Sequence, residues 1–386
     1  MNDSSHIALY RKRNLFAGVL LVSMIYGAWV AVTLVGALLN PALGSSMSAR
    51  AAEWARENGG ASVVNWVERE WYAHHQPPVG GKPPAGEIVK PKTGTTTPAV
   101  NVAAHLTPPT PVRPVVSPAI PGEGQWTPVG RLVHGLPAIY ETRMRPDTLH
   151  TSQVVGIAWM DTKLLRATLY SGSQIPGGGP YPNTAPISPL SATSLVSAFN
   201  AGFLLSDSNG GYYTNGQVIA PLRTGAASVV ISKSGSVTVG EWGRDIKMSP
   251  SVASVRQNLD LLVDDGRPVP GLNSSDTSKW GTTLGGQIDV WRSAIGETLS
   301  GALVYVGGPS LNIGSLADLL VRAGAYRGME LDINTDWVSY ATYSPSVPNA
   351  PATPADGTDL LPTMSGSPGR YFANWWTRDF FTMSAR

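Results

Sequence analysis

The stretch LADLLVRAGAYRGMELDIN, residues 316–334, changes periodicity halfway along. Leu316, Leu319, Leu320 and Ala323 recur at helical spacing and Gly324 suits a C-terminal cap, so the first half reads as a helix. The second half, RGMELDIN, reads as a strand entered directly from that helix. Upstream, QVVGIAW (153–159), LLRATLY (164–170), SLVSAF (194–199), AASVVIS (226–232), LDLLV (259–263) and ALVYVG (302–307) are short runs rich in Val, Leu and aromatic residues. Clusters of Gly, Pro, Asn or Asp separate most of them, as strands require. Many strands with few helices predict an α+β domain, a mixed β-sheet fold over 129–386.

The chain before that domain has a different character. Residues 15–39, LFAGVLLVSMIYGAWVAVTLVGALL, carry no charged side chain. At 1.5 Å per residue this run covers about 37 Å, enough for a hydrocarbon core of about 30 Å. A cleavable signal peptide has an apolar core of only about 7–15 residues, so a transmembrane helix is expected here, with the lipid bilayer as its partner. Arg11, Lys12 and Arg13 precede the span, and charges after it are mixed. The excess of positive charge places residues 1–14 in the cytoplasm and the C-terminal domain outside it, as a single-pass protein. Residues 40–76 are juxtamembrane and partly helical: Val63, Val67 and Trp71, with Trp66 alongside, form an amphipathic pattern that either lies on the membrane or docks on the domain. Residues 77–128 hold thirteen of the 32 prolines, and read as an extended linker that buries little apolar surface.

Composition narrows the chemistry. A net charge of +2 gives no electrostatic reason to bind nucleic acid. With no cysteine, thiol nucleophiles, thiolate metal sites and disulfides are excluded. The six histidines all lie at or before His150, so a site built wholly from residues 151–386 has no imidazole. Its acid–base groups must be mainly carboxylates or Tyr, with Arg as the anion partner. There is no GxSxG, GxxxxGK[ST] or HExxH motif.

In MELDINTDW (329–337), alternation along a strand projects Glu330, Asp332 and Asn334 from one face, joined by Asp336 if the strand persists. Acids so placed raise one another's pKa and supply the donor and carboxylate that glycoside cleavage uses. The alternatives are a solvated strand face or a calcium site of Asp332, Asn334 and Asp336; no other cofactor is expected. Arg292 in DVWRSAIG sits on an otherwise apolar strand face, which calls for a carboxylate or phosphate partner. Arg223 in APLRTGAAS precedes the small Thr224-Gly225 pair. In FNAGF (199–203), Gly202 allows close backbone approach and the Asn200 amide can read a hydroxyl or phosphate oxygen, while the loop from Asn209 to Tyr213 comes next. Arg244-Asp245 and Arg378-Asp379 read as local pairs.

Taken in order, RPD (145–147), FNAGF, PLRTGAAS, EWGRD (241–245), VRQNL (255–259), VWRSAIG, LADLLVRAGA, MELDIN and RDFF (378–381) resemble the phosphodiester glycosidase domain family. That family includes the catalytic domain of N-acetylglucosamine-1-phosphodiester α-N-acetylglucosaminidase, and the pattern is most similar to its membrane-anchored actinobacterial members. Its post-helix strand ends Leu-Asp-Gly-Gly-Gly-Ser, where this chain reads Leu331-Asp332-Ile333-Asn334-Thr335-Asp336. Asp332 carries over, and the glycines and serine do not. Arg292 and Gly296 fit the family's Arg-x-x-x-Gly strand, and Asn200 fits its Asn-x-x-Phe motif. The resemblance implies hydrolysis of a glycosyl phosphodiester, or a related glycosidic bond, in cell-envelope glycan. Asp332, with Glu330, would activate water or stabilise anomeric charge. Arg292 and Arg223 would neutralise phosphate, and Asn200 and Asn334 would position the substrate. A non-catalytic glycan-binding or structural envelope module of the same fold is the alternative.

Overall fold

A computed structural model describes residues 3–91, 105–208, 210–272, 276–281, 288–364, 366 and 368–386. Asn209, part of the loop singled out above, and residues 92–104 of the proline-rich stretch lie outside them. The chain divides into two compact units, Met1–Val64 and Asn65–Arg386.

In the first unit a single helix runs Asp3–Leu39, and its 27 residues Arg13–Leu39 are long and apolar enough to cross a membrane. Asn40 caps the short 3-10 turn Pro41–Leu43, and Ser46 caps the helix Met47–Ala55 by accepting from the Ala49 N–H. The glycines at 59 and 60 do interrupt the helical run: Gly59 takes a φ of 87° at the kink before the helix Ala61–His74.

The second unit is α+β, with three antiparallel sheets and few helices. The largest sheet runs in the order β1 (Thr127–Val129), β2 (Ile139–Met144), β3 (Val155–Met160), β14 (Leu303–Leu311), β13 (Val290–Thr298), β15 (Ala325–Ile333), β11 (Leu261–Asp264) and β12 (Arg267–Pro268). A second is ordered β7 (Gln217–Ala220), β6 (Tyr212–Thr214), β10 (Val252–Gln257), β8 (Ala227–Ser232) and β9 (Val237–Glu241). The third is ordered β17 (Gly357–Asp359), β16 (Tyr340–Tyr343), β5 (Leu195–Asn200), β18 (Phe380–Ala385) and β4 (Leu165–Tyr170). Asn215-Gly216 and Asp265-Gly266, with positive φ at both residues, make the tight turns of the β6–β7 and β11–β12 hairpins.

The helix expected after residue 316 begins at Ile313, three residues earlier. Asn312 and Ser315 form a reciprocal capping box, their side chains accepting from each other's backbone N–H at 2.9 and 3.1 Å. Ile313, Leu316, Ala317, Leu319 and Leu320 are buried against one face of the large sheet, with Ala294, Val304, Val306 and Ile157. The opposite face, bearing Ile295, Tyr305, Met329 and Leu331, packs with Phe199 and Tyr340 of the third sheet and Val229 and Val239 of the second. The central strands are therefore covered on both sides, which explains their continuous apolar runs.

The described part of the proline-rich stretch is not a free spacer. Ile88, Leu106 and Val112 are buried, the Leu106 N–H donates to Asp161 Oδ2 (2.7 Å), and Glu123 pairs with Arg145 at 2.7 Å. Its described residues before Thr127 form no strand, but an extended chain can still lay single apolar side chains into a neighbouring core.

Candidate active site

Strand β15 brings Glu330 and Asp332 into the centre of the large sheet, but not onto one face. Its register against β13 slips between two pairs, Ala294 with Glu330 and Ser293 with Asp332, so Leu331 is an extra residue. This β-bulge breaks the alternation. Glu330 shares the side of Ala294 and Arg292, toward the helix, whereas Asp332 shares the side of Ser293, toward the third sheet. Glu330, Asp332 and Arg292 therefore do not converge on one cavity as strand alternation predicts, because alternation along one strand cannot register a bulge.

Arg292 has the carboxylate partner its apolar strand demanded. Its Nη1 donates to Glu330 Oε1 (2.7 Å) and its Nε to Leu311 O (2.8 Å), with both side chains sealed from solvent. Burial pushes the Glu330 carboxyl up to about 7 against the pull of the Arg292 charge. This pair joins three strands of the sheet and is closed to substrate. Arg292 is therefore not the anion partner of an open site.

Asp332 retains 4% of its surface and accepts the Ile333 N–H at Oδ1 (2.8 Å). Burial holds its carboxyl well above the usual range, opposed first by the charge of Arg378. Arg378 sits with its guanidinium 4.2 Å over the Trp337 ring and is 7% exposed. It does not pair with Asp379. That carboxylate accepts instead from Arg256 Nε (2.6 Å), and the rest of the Arg256 fork donates to Gln257 O (2.7 Å) and Phe203 O. Among the described residues Arg378 alone of the cations acting on Asp332 has no ion pair. Arg244-Asp245, by contrast, is the local pair expected, at 2.8 Å.

Asn200, at the end of β5, lies close to Asp332, but its amide is engaged within the protein. Its Nδ2 donates to Ser293 Oγ (3.0 Å), and its Oδ1 accepts from the Tyr305 hydroxyl (3.0 Å) and the Ser339 N–H (3.2 Å). The Asp332 N–H donates to Ser293 Oγ (3.3 Å), and the Tyr371 hydroxyl to Ser339 Oγ (2.8 Å). This network fixes the end of β15 against the third sheet. Gly202 makes room for protein rather than ligand: a Cβ there would lie 3.1 Å from the Arg256 guanidinium carbon. Gly202→Ala is expected to destabilise the fold by about 1–3 kcal/mol, read as a lowered melting temperature, because the triply bonded Arg256 has nowhere to move.

The remaining expected residues, Arg223, Asn334 and Asp336, are half-buried. The Arg223 backbone is clamped by Gln257, whose Oε1 accepts from the Arg223 N–H (2.7 Å) and whose Nε2 donates to Arg223 O (3.0 Å). Asn334 adopts φ 103°, the conformation a glycine would supply at this turn, and its Oδ1 accepts from the Asp336 N–H (2.9 Å). Asp336 O in turn accepts from Arg370 Nη1 (3.1 Å). Among the described residues one group of His, Asp and Glu brings ligand atoms within 4.8 Å of one another, Asp147, His150 and Asp289. Its His150 Nδ1 and Asp147 Oδ2 lie 2.8 Å apart.

Arg256, Arg378, Ser293 and Tyr305 were not anticipated as parts of the site. Arg256 could have been, since VASVRQ buries an arginine among apolar strand residues just as DVWRSAIG does. The separation of Arg378 from its neighbour Asp379 has no counterpart in sequence.

No family model matches the chain, and no curated protein matches it. Among solved structures it is similar to the zebrafish N-acetylglucosamine-1-phosphodiester α-N-acetylglucosaminidase catalytic domain, auto-inhibited by its pro-peptide. The identity is 14% over 67% of this chain and 87% of that one, with a TM-score of 0.42. A hypothetical protein from Synechocystis is similar at 12% identity over 67% of this chain and 64% of that one, with a TM-score of 0.37.

Proposed function

We propose that the protein is a membrane-anchored, extracytoplasmic hydrolase acting on a glycosyl phosphodiester, or a related glycosidic bond, in cell-envelope glycan. The observation that carries this reading is Arg378, a cation without an ion pair among the described residues, set against the desolvated Asp332. An unpaired guanidinium held in a nearly closed site is suited to a phosphodiester oxyanion, which it can bind by charge-assisted hydrogen bonds. A phosphate leaving group is already a weak base, so neutralising its charge contributes more than protonating it. Burial makes the Asp332 carboxylate a stronger base toward water than an ordinary aspartate, and the opposing charge of Arg378 favours the ionised form that can accept the proton. Asp332 then takes the proton from the attacking water, and Arg378 holds the departing phosphate. Asn200 positions the end of β15 through Ser293, and the Glu330–Arg292 pair braces the opposite side of the sheet, none of them touching substrate. The half-buried Arg223, Asn334 and Asp336 then supply further contacts to the substrate. The anchor is the apolar helix, with the basic residues 11–13 holding its N-terminus in the cytoplasm.

A non-catalytic glycan-binding or structural envelope module is favoured by one observation, the near-complete burial of Asp332, Glu330 and Arg292. One assay separates the two. The purified full chain is incubated with a panel of sugar-1-phosphodiesters and with cell-envelope fragments, and products are identified by mass spectrometry. Release of free sugar or sugar phosphate supports the hydrolase. Retention of glycan without turnover supports the module.

A further inference from the structure

We propose that the outer stripe of the helix Ala61–His74, made by Trp66, Val67 and Trp71, seats in the interfacial layer of a lipid bilayer. From Asn65 onward the two sides of this helix differ in what they meet. Asn65, Glu68 and Tyr72 recur at helical spacing on the half-buried side. Tyr72, with Ile288, packs against the buried cluster of Phe203, Leu259, Val290 and Ile333. The chain just beyond is tied down as well, the Asp289 N–H donating to Gln76 Oε1 (3.2 Å). The domain thus holds the helix by its Tyr72 side. Trp66, Val67 and Trp71 project from the opposite side and are 60%, 49% and 59% exposed.

The identity of the occupant rests on composition and tether. Outside the apolar helix only three described tryptophans are exposed, and Trp66 and Trp71 are two of them. Tryptophan beside an aliphatic residue is the side-chain pair that bilayer interfaces favour, since the indole has both an apolar body and a polar N–H. Glu70 lies on the same side, its carboxylate 3.8 Å from His74 Nε2, a polar edge suited to headgroup depth rather than to an apolar protein groove. The apolar segment that can cross a membrane ends at Leu39, so Trp66 follows it by 66 − 39 = 27 residues. Even fully extended, that tether reaches only about 90 Å, which keeps the stripe at high effective concentration over the bilayer surface. The proposal therefore rests on the membrane-anchor reading above and not on catalysis. With a helix diameter of about 10–12 Å, it also holds the end of β15 that carries Asp332 about one helix width from the headgroups.

The chain has no cysteine, so a single introduced one can be labelled uniquely. Val67→Cys and, as a distant exposed control, Ser234→Cys are labelled with NBD in the full-length protein. Both are reconstituted in nanodiscs of phosphatidylcholine and phosphatidylglycerol, with and without shallow doxyl-labelled lipid. The expected result is blue-shifted emission at position 67 that doxyl lipid quenches about twofold or more, with no quenching at 234. Adding Trp66→Ala and Trp71→Ala to Val67→Cys should remove at least half of the quenching. Emission at 67 that doxyl lipid leaves unchanged overturns the proposal, whether polar (stripe open to water) or apolar (stripe covered by protein or a second copy). Quenching is independent of turnover, so its failure is distinguishable from failure of the hydrolase assay.

Discussion

Asp332→Asn is expected to lower hydrolysis of a sugar-1-phosphodiester by about 10²–10⁴-fold, the range that removing a general base produces. The substitution preserves shape and the bond from the Ile333 N–H to Oδ1. It also removes a carboxyl that burial disfavours in its charged form, so the melting temperature should not fall. Loss of rate with fold intact is therefore the signature of a chemical role. Arg378→Met should raise KM for phosphodiester substrates and leave neutral glycosides little affected, because the lost group binds charge. Glu330→Gln, on the other face of β15, should leave turnover unchanged. An Asp332→Asn protein that is folded and hydrolyses at the wild-type rate would remove the catalytic assignment. Activity that falls equally in Glu330→Gln would show that the bulge does not separate the two acids functionally.

The second large effect concerns stability. Arg292→Leu leaves the Glu330 carboxylate sealed between β13, β14 and the helix Ile313–Arg322 without its guanidinium. Breaking one partner out of a buried pair costs about 3–5 kcal/mol, read as a loss in chemical denaturation. Arg292→Leu with Glu330→Leu should recover most of that loss, since neither charge then needs compensation. The pH dependence has a definite sign. In the folded chain Glu330 titrates at about 7 rather than at its ordinary 4.5, so the native state holds this proton more tightly than the unfolded chain does. Its contribution is complete below about pH 4.5 and is lost as pH rises toward about 7. Melting temperature should therefore decline across that window, and Glu330→Gln should flatten the decline. Glu141, pushed up to about 8 by burial, adds a fall that extends higher and persists in the variant. A steepened decline in Glu330→Gln would contradict the assignment.

Much of the architecture is legible in local pattern. The helix that ends at Arg322, the strands β3, β4, β5, β8, β11, β14 and β15, and the apolar segment ending at Leu39 each arise from periodicity or length, which depend on neighbours a few residues apart. The need of Arg292 for a carboxylate is legible in the same way, because an arginine among apolar strand residues cannot remain unpaired. The edge strands β1, β12 and β17 are too short to carry a period, and they exist because a neighbouring strand offers open hydrogen-bond donors and acceptors.

The site is divided between the two levels. Sequence alone determines that Asp332 ends a buried strand, that no imidazole follows residue 150, and that the polar groups of Asn200, Arg256 and Arg292 must be satisfied somewhere inside. Which partner satisfies which group is a tertiary outcome. Glu330 pairs with Arg292 across 38 positions and Asp379 with Arg256 across 123, leaving Arg378 beside Asp332 rather than beside its neighbour in the chain. The decisive event is the extra residue at Leu331. A bulge depends on the register of two strands, so one strand's own sequence cannot reveal that its two acids point to opposite sides of the sheet.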